Sequence, residues 1–292
     1  MRKEFDMNLK DKRFLPYYIT AAVIIICAFA AVAIINISHR VQEETTTTQP
    51  SPEFISGDIP YYENIPASAY SKDKFTEEDG RMIYTDTDVN YYTGIDVSSY
   101  QGEIDWNAVA ADGIDFAIIR VGYRGYGTAG NIRIDESADI NIKAASQAGL
   151  KIGVYFYSQA TTVAEAEEEA DFVINAIKNY DIDYPVVFDW ENDPGVGMRT
   201  DGMTAEETTP CAVAFCEKIK AAGYTPAVYF NLSDAYDRYN LDAISDYSFW
   251  YAQFEGEAPE FYYEYSIWQY SDSGTVDGIK GKVDLNICFT AF

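Results

Sequence analysis

From Tyr92 to the C-terminus, short apolar runs alternate with longer segments in which apolar residues recur at helical spacing. The apolar runs have the length of buried strands. The predicted strands are Gly94–Val97, Phe116–Tyr123, Lys151–Ser158, Pro185–Trp190, Pro226–Phe230, Phe249–Phe254, Tyr265–Tyr270 and Val283–Leu285. The predicted helices are Asp135–Ala148, Thr162–Asn179 and Thr204–Ala222. This order predicts an α/β fold, an irregular (β/α) barrel with eight strands and fewer than eight regular helices, because the later connections are too short for helices.

The start of the chain has a different pattern, with an almost wholly apolar run from Ile19 to Ile37. The run is long enough to cross a bilayer as a helix, and basic residues precede it. We therefore expect a cytoplasmic basic segment over 1–18, a transmembrane signal-anchor helix over 19–37 and an exported body. The alternative is a cleaved signal peptide, since Ala31 and Ala33 resemble a cleavage site, and the body would then be secreted.

Between this run and the barrel lie two further segments. Residues 38–60 are rich in Thr and Pro and predict a linker that cannot bury enough apolar surface to fold. Residues 61–92 predict an extension of the folded domain, in which Arg81–Tyr84 and Val89–Tyr92 would pair as a hairpin. The barrel itself is assigned to residues 93–292.

Composition excludes several classes of function. The formal net charge of −26 argues against nucleic acid as a partner, because a binding surface needs clustered Lys and Arg. The one histidine, His39, adjoins the N-terminal apolar run, which excludes Ser-His-Asp and Cys-His catalysis in the barrel. A zinc site is disfavoured for the same reason. Three of the four cysteines are predicted to be buried small hydrophobes: Cys211, Cys216 and Cys288. The alternative is a disulfide to Cys288.

Carboxylates lie where the predicted strands end. Asp96 ends the first, Asp189 and Glu191 end the fourth, and Asp284 lies on the last. Residues two apart in a strand face the same side, so Asp189 and Glu191 are predicted to lie close together and Trp190 to point into the core. Two such carboxylates repel each other's charge, and one of them keeps its proton to higher pH. A retained proton is what the leaving oxygen of a glycosidic bond requires.

A run of glycines offers a competing interpretation. Gly125, Gly127 and Gly130 form a G-x-G-x-x-G pattern after a predicted strand, as in dinucleotide-binding proteins. No helix follows it directly, so we expect the glycines to shape a loop at the barrel mouth.

The motifs together resemble those of glycoside hydrolase family 25 lysozymes. They are Gly94-Ile-Asp-Val-Ser-Ser-Tyr-Gln-Gly102 with Ile104-Asp-Trp106, Phe116 to Gly125, Gly153-Val-Tyr-Phe156, Val186 to Glu191, Tyr229-Phe-Asn231, Trp250-Tyr-Ala252, Trp268-Gln-Tyr-Ser271 and Val283-Asp-Leu-Asn286. The resemblance covers roughly Gly94 to Phe292, and the motifs follow the family's order. Two positions depart from it, at Phe156 and at Ala138, and neither touches the carboxylates.

This resemblance implies a muramidase that cuts the glycan strands of bacterial peptidoglycan. Glu191 would be the general acid, and Asp189 would stabilise the substrate's 2-acetamido group or act as nucleophile. Asp96 and Asp284 would complete an acidic floor. The implied sugar-binding residues are Tyr155, Tyr229, Asn231, Trp268 and Arg120. No cofactor or metal is implied. A family 18-like chitinase or glucosaminidase and an inactive glycan-binding barrel are the alternatives.

Overall fold

The computed structural model describes residues 59–191 and 197–292, all of which belong to one compact unit. The predicted span Ile19–Ile37, most of the linker and Cys27 lie outside these residues. None of the helices in the described part is both long and apolar enough to cross a membrane.

Eleven strands and six α-helices form the described part of the chain. The strands are β1 Phe75–Glu78, β2 Arg81–Tyr84, β3 Tyr92–Val97, β4 Phe116–Arg124, β5 Ile132–Ile134, β6 Lys151–Ser158, β7 Val186–Trp190, β8 Pro226–Asn231, β9 Ser248–Ala252, β10 Ile267–Gly274 and β11 Val283–Cys288. The helices are α1 Trp106–Ala111, α2 Ala138–Gln147, α3 Val163–Ile177, α4 Ala205–Ala221, α5 Leu232–Asp237 and α6 Leu241–Ile244.

Eight of the strands close into a barrel in the order β3, β11, β10, β9, β8, β7, β6, β4, with β4 pairing back onto β3. They are the eight strands that the sequence predicts. The barrel is irregular because β11 runs antiparallel to both of its neighbours, and β5 adds an antiparallel strand outside β4. The predicted fold is confirmed for these residues.

The three long helices α2, α3 and α4 are the predicted ones. Thr162 caps α3 by accepting a hydrogen bond from the backbone of Glu165 at 3.3 Å. At the start of α4, the backbone of Thr204 donates to Glu207 at 2.9 Å. Both bonds satisfy groups that a helix terminus otherwise leaves unpaired, which explains why the helices begin at these residues.

The barrel encloses a packed core below its mouth. Phe116, Ile118, Val187 and Trp250 meet inside it and are fully or almost fully buried. Gly94 is required there, because a Cβ at this position would lie 2.2 Å from the Phe116 ring. A larger apolar cluster fills the space between the outer faces of the strands and the helices. The interior is therefore filled with side chains, and only its open end is available to a ligand.

Residues 59–91 cover the side of the barrel where the later connections are short. β1 and β2 pair across the turn at Asp79 and Gly80, whose φ values of 49° and 77° suit a two-residue hairpin. Arg81–Tyr84 therefore pairs with Phe75–Glu78, and not with 89–92 as predicted. Phe75 packs edge-on against Trp268 of β10 at 5.2 Å between ring centroids.

The cysteines of the barrel are free and buried, as predicted: Cys211, Cys216 and Cys288. Burial raises the pKa of the Cys288 thiol to about 12. These side chains contribute apolar packing.

Candidate active site

The open end of the barrel contains a cavity of about 650 Å³ where β3 and β7 end. All four carboxylates predicted from the sequence line it, together with Asp272. Two arginines of β4, Arg120 and Arg124, also reach the cavity, and each is paired with a buried carboxylate. The sequence therefore placed the acidic residues at the correct end of the barrel.

Asp189 and Glu191 lie at the end of β7 and face the cavity together, while Trp190 between them is fully buried. Asp189 is 5% exposed, and its Oδ1 atom finds no hydrogen-bond donor among the described residues. Burial, and then the negative charge of Glu191, raises the pKa of Asp189 well above the ordinary value. The pair therefore retains one proton at a pH where two isolated carboxyl groups would both be ionised.

Asp96 is fixed at the floor of the cavity by two side-chain amides. Its Oδ2 atom accepts hydrogen bonds from Gln269 and Asn286, each at 2.8 Å. Burial raises the pKa of Asp96 to about 6, and these two hydrogen bonds oppose the rise. An acceptor with two donors on one oxygen is held in one orientation.

The amides that hold Asp96 are held in turn by two aromatic side chains. The Tyr229 hydroxyl donates to Gln269 at 2.8 Å, and the Trp250 indole donates to Asn286 at 2.8 Å. The Tyr229 and Trp250 rings pack edge-on at 4.9 Å. Every member of this buried network has a partner, which is the condition under which such a network fixes a geometry.

Asp284 completes the acidic floor from the opposite strand. Burial and then the charge of Asp96 raise the pKa of Asp284 to about 8. The two carboxyl groups hydrogen-bond to each other, so the pair holds a shared proton to a higher pH than two isolated carboxyl groups would.

A second cavity of about 550 Å³ adjoins the first between the ends of β7, β8 and β9. Glu191, Tyr229 and Phe254 line both cavities. Asn231 lies in the second cavity, where it also caps α5 through the backbone of Asp234 at 2.9 Å. Glu191 thus stands between two spaces, which is the position a general acid needs to reach a bond between two sugars.

Comparison with known proteins identifies the family of this barrel. Residues 95–279 match the sequence profile of glycosyl hydrolases family 25. The chain belongs to glycosyl hydrolase family 25.

Characterised proteins of similar sequence and structure agree with this membership. An autolytic lysozyme from Clostridium acetobutylicum is 30% identical over 193 residues, covering 66% of this chain and 54% of its own length. The modular autolysin LytC from Streptococcus pneumoniae, solved with a synthetic peptidoglycan ligand, is 27% identical with a TM-score of 0.62. That match covers 73% of this chain and 51% of LytC, so the chain spans about half the length of these relatives.

A family 25 glycosyl hydrolase from Bacillus anthracis has the same fold, with a TM-score of 0.59 at 23% identity. The match covers 74% of this chain and 95% of that protein. The family fold therefore accounts for the barrel, whereas residues 59–91 precede the region matched by the family profile.

Two other predicted sugar-binding residues of the family 25 domain also reach the cavity. Tyr155 is half-buried and packs edge-on against Trp250 at 6.2 Å. Arg120 lines the cavity, but its guanidinium group is bound to Asp135, whose side chain is fully buried, at 2.9 Å. The guanidinium group of Arg120 is therefore engaged in an ion pair within the protein.

The structure contradicts the prediction that Trp268 lines the sugar cleft. Trp268 is 1% exposed and packs against Phe75, and its indole donates to the backbone oxygen of Gln253 at 3.0 Å. Side chains alternate along a strand, and Gln269 next to it faces the barrel interior. Trp268 consequently points outward beneath the hairpin.

Several residues of the site were not predicted from the sequence. Gln269 and Asn286 are buried polar residues within apolar strands, and that pattern is the signal that marks them. Tyr100, Tyr126 and Phe254 are exposed aromatic residues at the cavity mouth, and they follow three different barrel strands. No periodicity identifies residues of this second kind, because loops have none.

Proposed function

We propose that this protein is a lysozyme that hydrolyses the β-1,4 bond between N-acetylmuramic acid and N-acetylglucosamine in bacterial peptidoglycan. The observation that carries the proposal is Asp189, which lines the cavity beside Glu191 and whose buried Oδ1 atom lacks a donor among the described residues. A buried acceptor of this kind is costly unless a ligand satisfies it. The N–H of the substrate's 2-acetamido group is a donor of the required type.

In the proposed reaction, Glu191 donates its proton to the glycosidic oxygen as the bond to the anomeric carbon breaks. The oxygen of the substrate's own acetamido group attacks that carbon and forms a cyclic ion. Asp189 stabilises this ion by accepting a hydrogen bond from the N–H of the same acetamido group. Glu191, now ionised, takes a proton from water as the water opens the ring. The two inversions leave the anomeric configuration unchanged.

The floor of the cavity supports this assignment of roles. Asp96 is held by two amides and Asp284 pairs with it, so neither is oriented for proton transfer to a leaving group. With one proton shared between them, the pair contributes one negative charge beneath the site where positive charge develops on the sugar. The second cavity beside Glu191 supports an endo-acting enzyme, because sugars can extend on both sides of the cleaved bond.

Digestion of purified peptidoglycan by the full-length protein tests this proposal. Mass spectrometry of the products should show new reducing ends on N-acetylmuramic acid. Reducing ends on N-acetylglucosamine would instead identify a glucosaminidase, and cleavage of chitin alone would identify a chitinase-like enzyme. Binding without any new reducing ends would identify an inactive glycan-binding barrel.

We also propose that the run from Ile19 to Ile37 anchors the protein in the cell membrane with the barrel outside. A tether would keep the enzyme near the wall despite a net charge of −26, which disfavours adhesion to an anionic polymer. Protease added to intact protoplasts should remove the barrel and leave a membrane-bound fragment. Survival of the barrel beside a digested external control would reverse this orientation, and barrel found only in the medium would indicate signal cleavage.

A further inference from the structure

Two exposed tyrosines stand at the side of the cavity formed by the loops after β3 and β4. Tyr100 is 85% exposed and Tyr126 is 48% exposed, and both line the cavity. Exposure of a single aromatic ring is common and needs no explanation. These two differ because deeply buried charged clusters hold the loops that carry them.

Tyr100 is held by the first cluster. The Arg120 guanidinium group lies 5.0 Å from the centre of the Tyr100 ring and 5.2 Å from that of Tyr123. The same oxygen of Asp135 that binds Arg120 also accepts a hydrogen bond from the backbone of Ser99 at 3.1 Å. The ring and its loop are thus fixed to one buried ion pair.

Tyr126 is held by the second cluster. Arg124 donates to Glu169 at 2.7 Å and to the backbone oxygen of Gly130 at 2.6 Å, which closes the loop that carries Tyr126. Glu169 is fully buried and accepts a further hydrogen bond from Ser158 at 2.6 Å. Gly130 has a φ of 50° in this loop, a left-handed backbone conformation that favours glycine.

Burying these two ion pairs costs free energy, which suggests that the tyrosines whose loops they fix have a function. Taking an arginine and a carboxylate out of water carries a desolvation penalty that their attraction often does not recover. Here two such pairs arise from one strand, β4, and each fixes a loop whose exposed feature is a tyrosine. A rigid aromatic ring gives contact area to a ligand at a low cost in conformational entropy.

We infer that Tyr100 and Tyr126 are stacking platforms for the sugars of the strand that lie away from the cleaved bond, with Asp135 and Glu169 as positioning residues. This inference rests on the proposed function, since it assumes that the cavity binds a glycan. The glycine-rich loop from Gly125 to Gly130 gains a role here, as the carrier of Tyr126. The β3–β4 side of the mouth would set how strongly the enzyme prefers long strands to short ones.

Calorimetric binding to the full-length protein tests the inference. Glu191→Gln is introduced into every variant so that the strands are not cut, and soluble glycan strands of two lengths are titrated at constant ionic strength. The parent should bind the longer strand more tightly. Tyr100→Ala and Tyr126→Ala should each weaken binding of the longer strand on the order of tenfold and reduce the advantage of length.

Matched variants separate contact from folding. Tyr100→Phe and Tyr126→Phe keep the rings and should keep the preference for long strands. Tyr61→Ala removes a ring that is 49% exposed outside both cavities, and it should leave binding unchanged. If both alanine variants bind the longer strand within about twofold of the parent, the platforms do not exist. If the parent binds neither strand, the proposed function is contradicted, and so is this inference, which depends on it.

A double-variant cycle tests the positioning role. Glu169→Gln should weaken binding of the longer strand, because the loop carrying Tyr126 loses its anchor. Combining it with Tyr126→Ala should add no further loss, since both changes remove the same contact. Losses that add would show that Glu169 acts independently of Tyr126. Thermal melting of each variant verifies that the barrel is folded.

Discussion

Asp284 of β11 lies directly across from Asp96 of β3 in the antiparallel register, and the two carboxyl groups hydrogen-bond to each other. The pair forms where the last barrel strand runs against the direction of the others, so it depends on the irregular closure of this barrel. A proton shared between facing carboxylates links the stability of the barrel to pH.

Asp284→Asn should therefore stabilise the protein more as the pH rises. The pKa of Asp284 is raised from 3.8 to about 8 in the folded state, so the folded state binds a proton that the unfolded state has released. Its contribution to stability is complete below pH 4 and is lost as the pH rises through 8. Asparagine keeps a donor for Asp96 without the ionisable group.

Melting temperatures of the wild type and Asp284→Asn between pH 4 and pH 9 would measure this effect. The difference should be small at the acid end and grow to a few degrees in favour of the variant at the alkaline end. A difference that does not change with pH would mean that Asp284 is not protonated in the folded protein.

Asp189→Asn should lower kcat about 10²–10³-fold and also change the pH profile. The variant removes the negative charge that helps to keep a proton on the Asp189–Glu191 pair. The alkaline limb of kcat/KM should therefore move to lower pH. Asp277→Asn, at an exposed position outside the cavity, is the control and should leave the limb in place. An unmoved limb in Asp189→Asn would contradict the electrostatic coupling of the two carboxyl groups.

Glu191→Gln should lose general-acid catalysis, on the order of 10²–10⁴-fold in kcat, while the barrel remains folded. Glutamine keeps the shape of the side chain and cannot donate the proton that the leaving oxygen needs. Glu78→Gln, on the exposed face of β1, makes the same chemical change away from the site. Turnover of Glu191→Gln near that of the control would remove Glu191 from the role of acid.

Phe75→Ala should cost about 3 kcal/mol of unfolding free energy. Phe75 lies outside the region matched by the family profile, yet it is 7% exposed and contacts the rings of Trp268, Tyr84 and Phe289. Thr76→Ala, on the exposed side of the same strand, is the matched control in urea denaturation. Equal stability of the two variants would mean that the hairpin adds nothing to the barrel.

The strands could be predicted because each is an apolar run bounded by turn residues, and Asp189-Trp-Glu191 could be interpreted because alternation alone places its side chains. Trp268 shows where that reasoning fails. Alternation says that Trp268 and Gln269 face opposite sides, but only the whole barrel decides which side is inside. Gln269 is inside because it binds Asp96.

The pairing of the hairpin and the tyrosines at the mouth of the cavity were not predicted from the sequence, for different reasons. Asp79-Gly80 is a turn signal in the sequence, and giving it more weight would have selected Phe75–Glu78 as the partner of Arg81–Tyr84. Tyr100 and Tyr126 were beyond prediction, because their positions depend on ion pairs from Arg120 and Arg124 to residues far along the chain.

The configuration of the first product tests most directly the two inversions at the anomeric carbon on which the central claim depends. The claim is that the substrate's acetamido group attacks its own anomeric carbon while Asp189 stabilises the ion and Glu191 moves the proton. Proton NMR of soluble peptidoglycan fragments in the first moments of turnover by the full-length protein would show the new reducing end before it mutarotates. The account predicts a β-configured N-acetylmuramic acid. An initial α-product would contradict it, since a single inversion would make Asp189 a base acting on water.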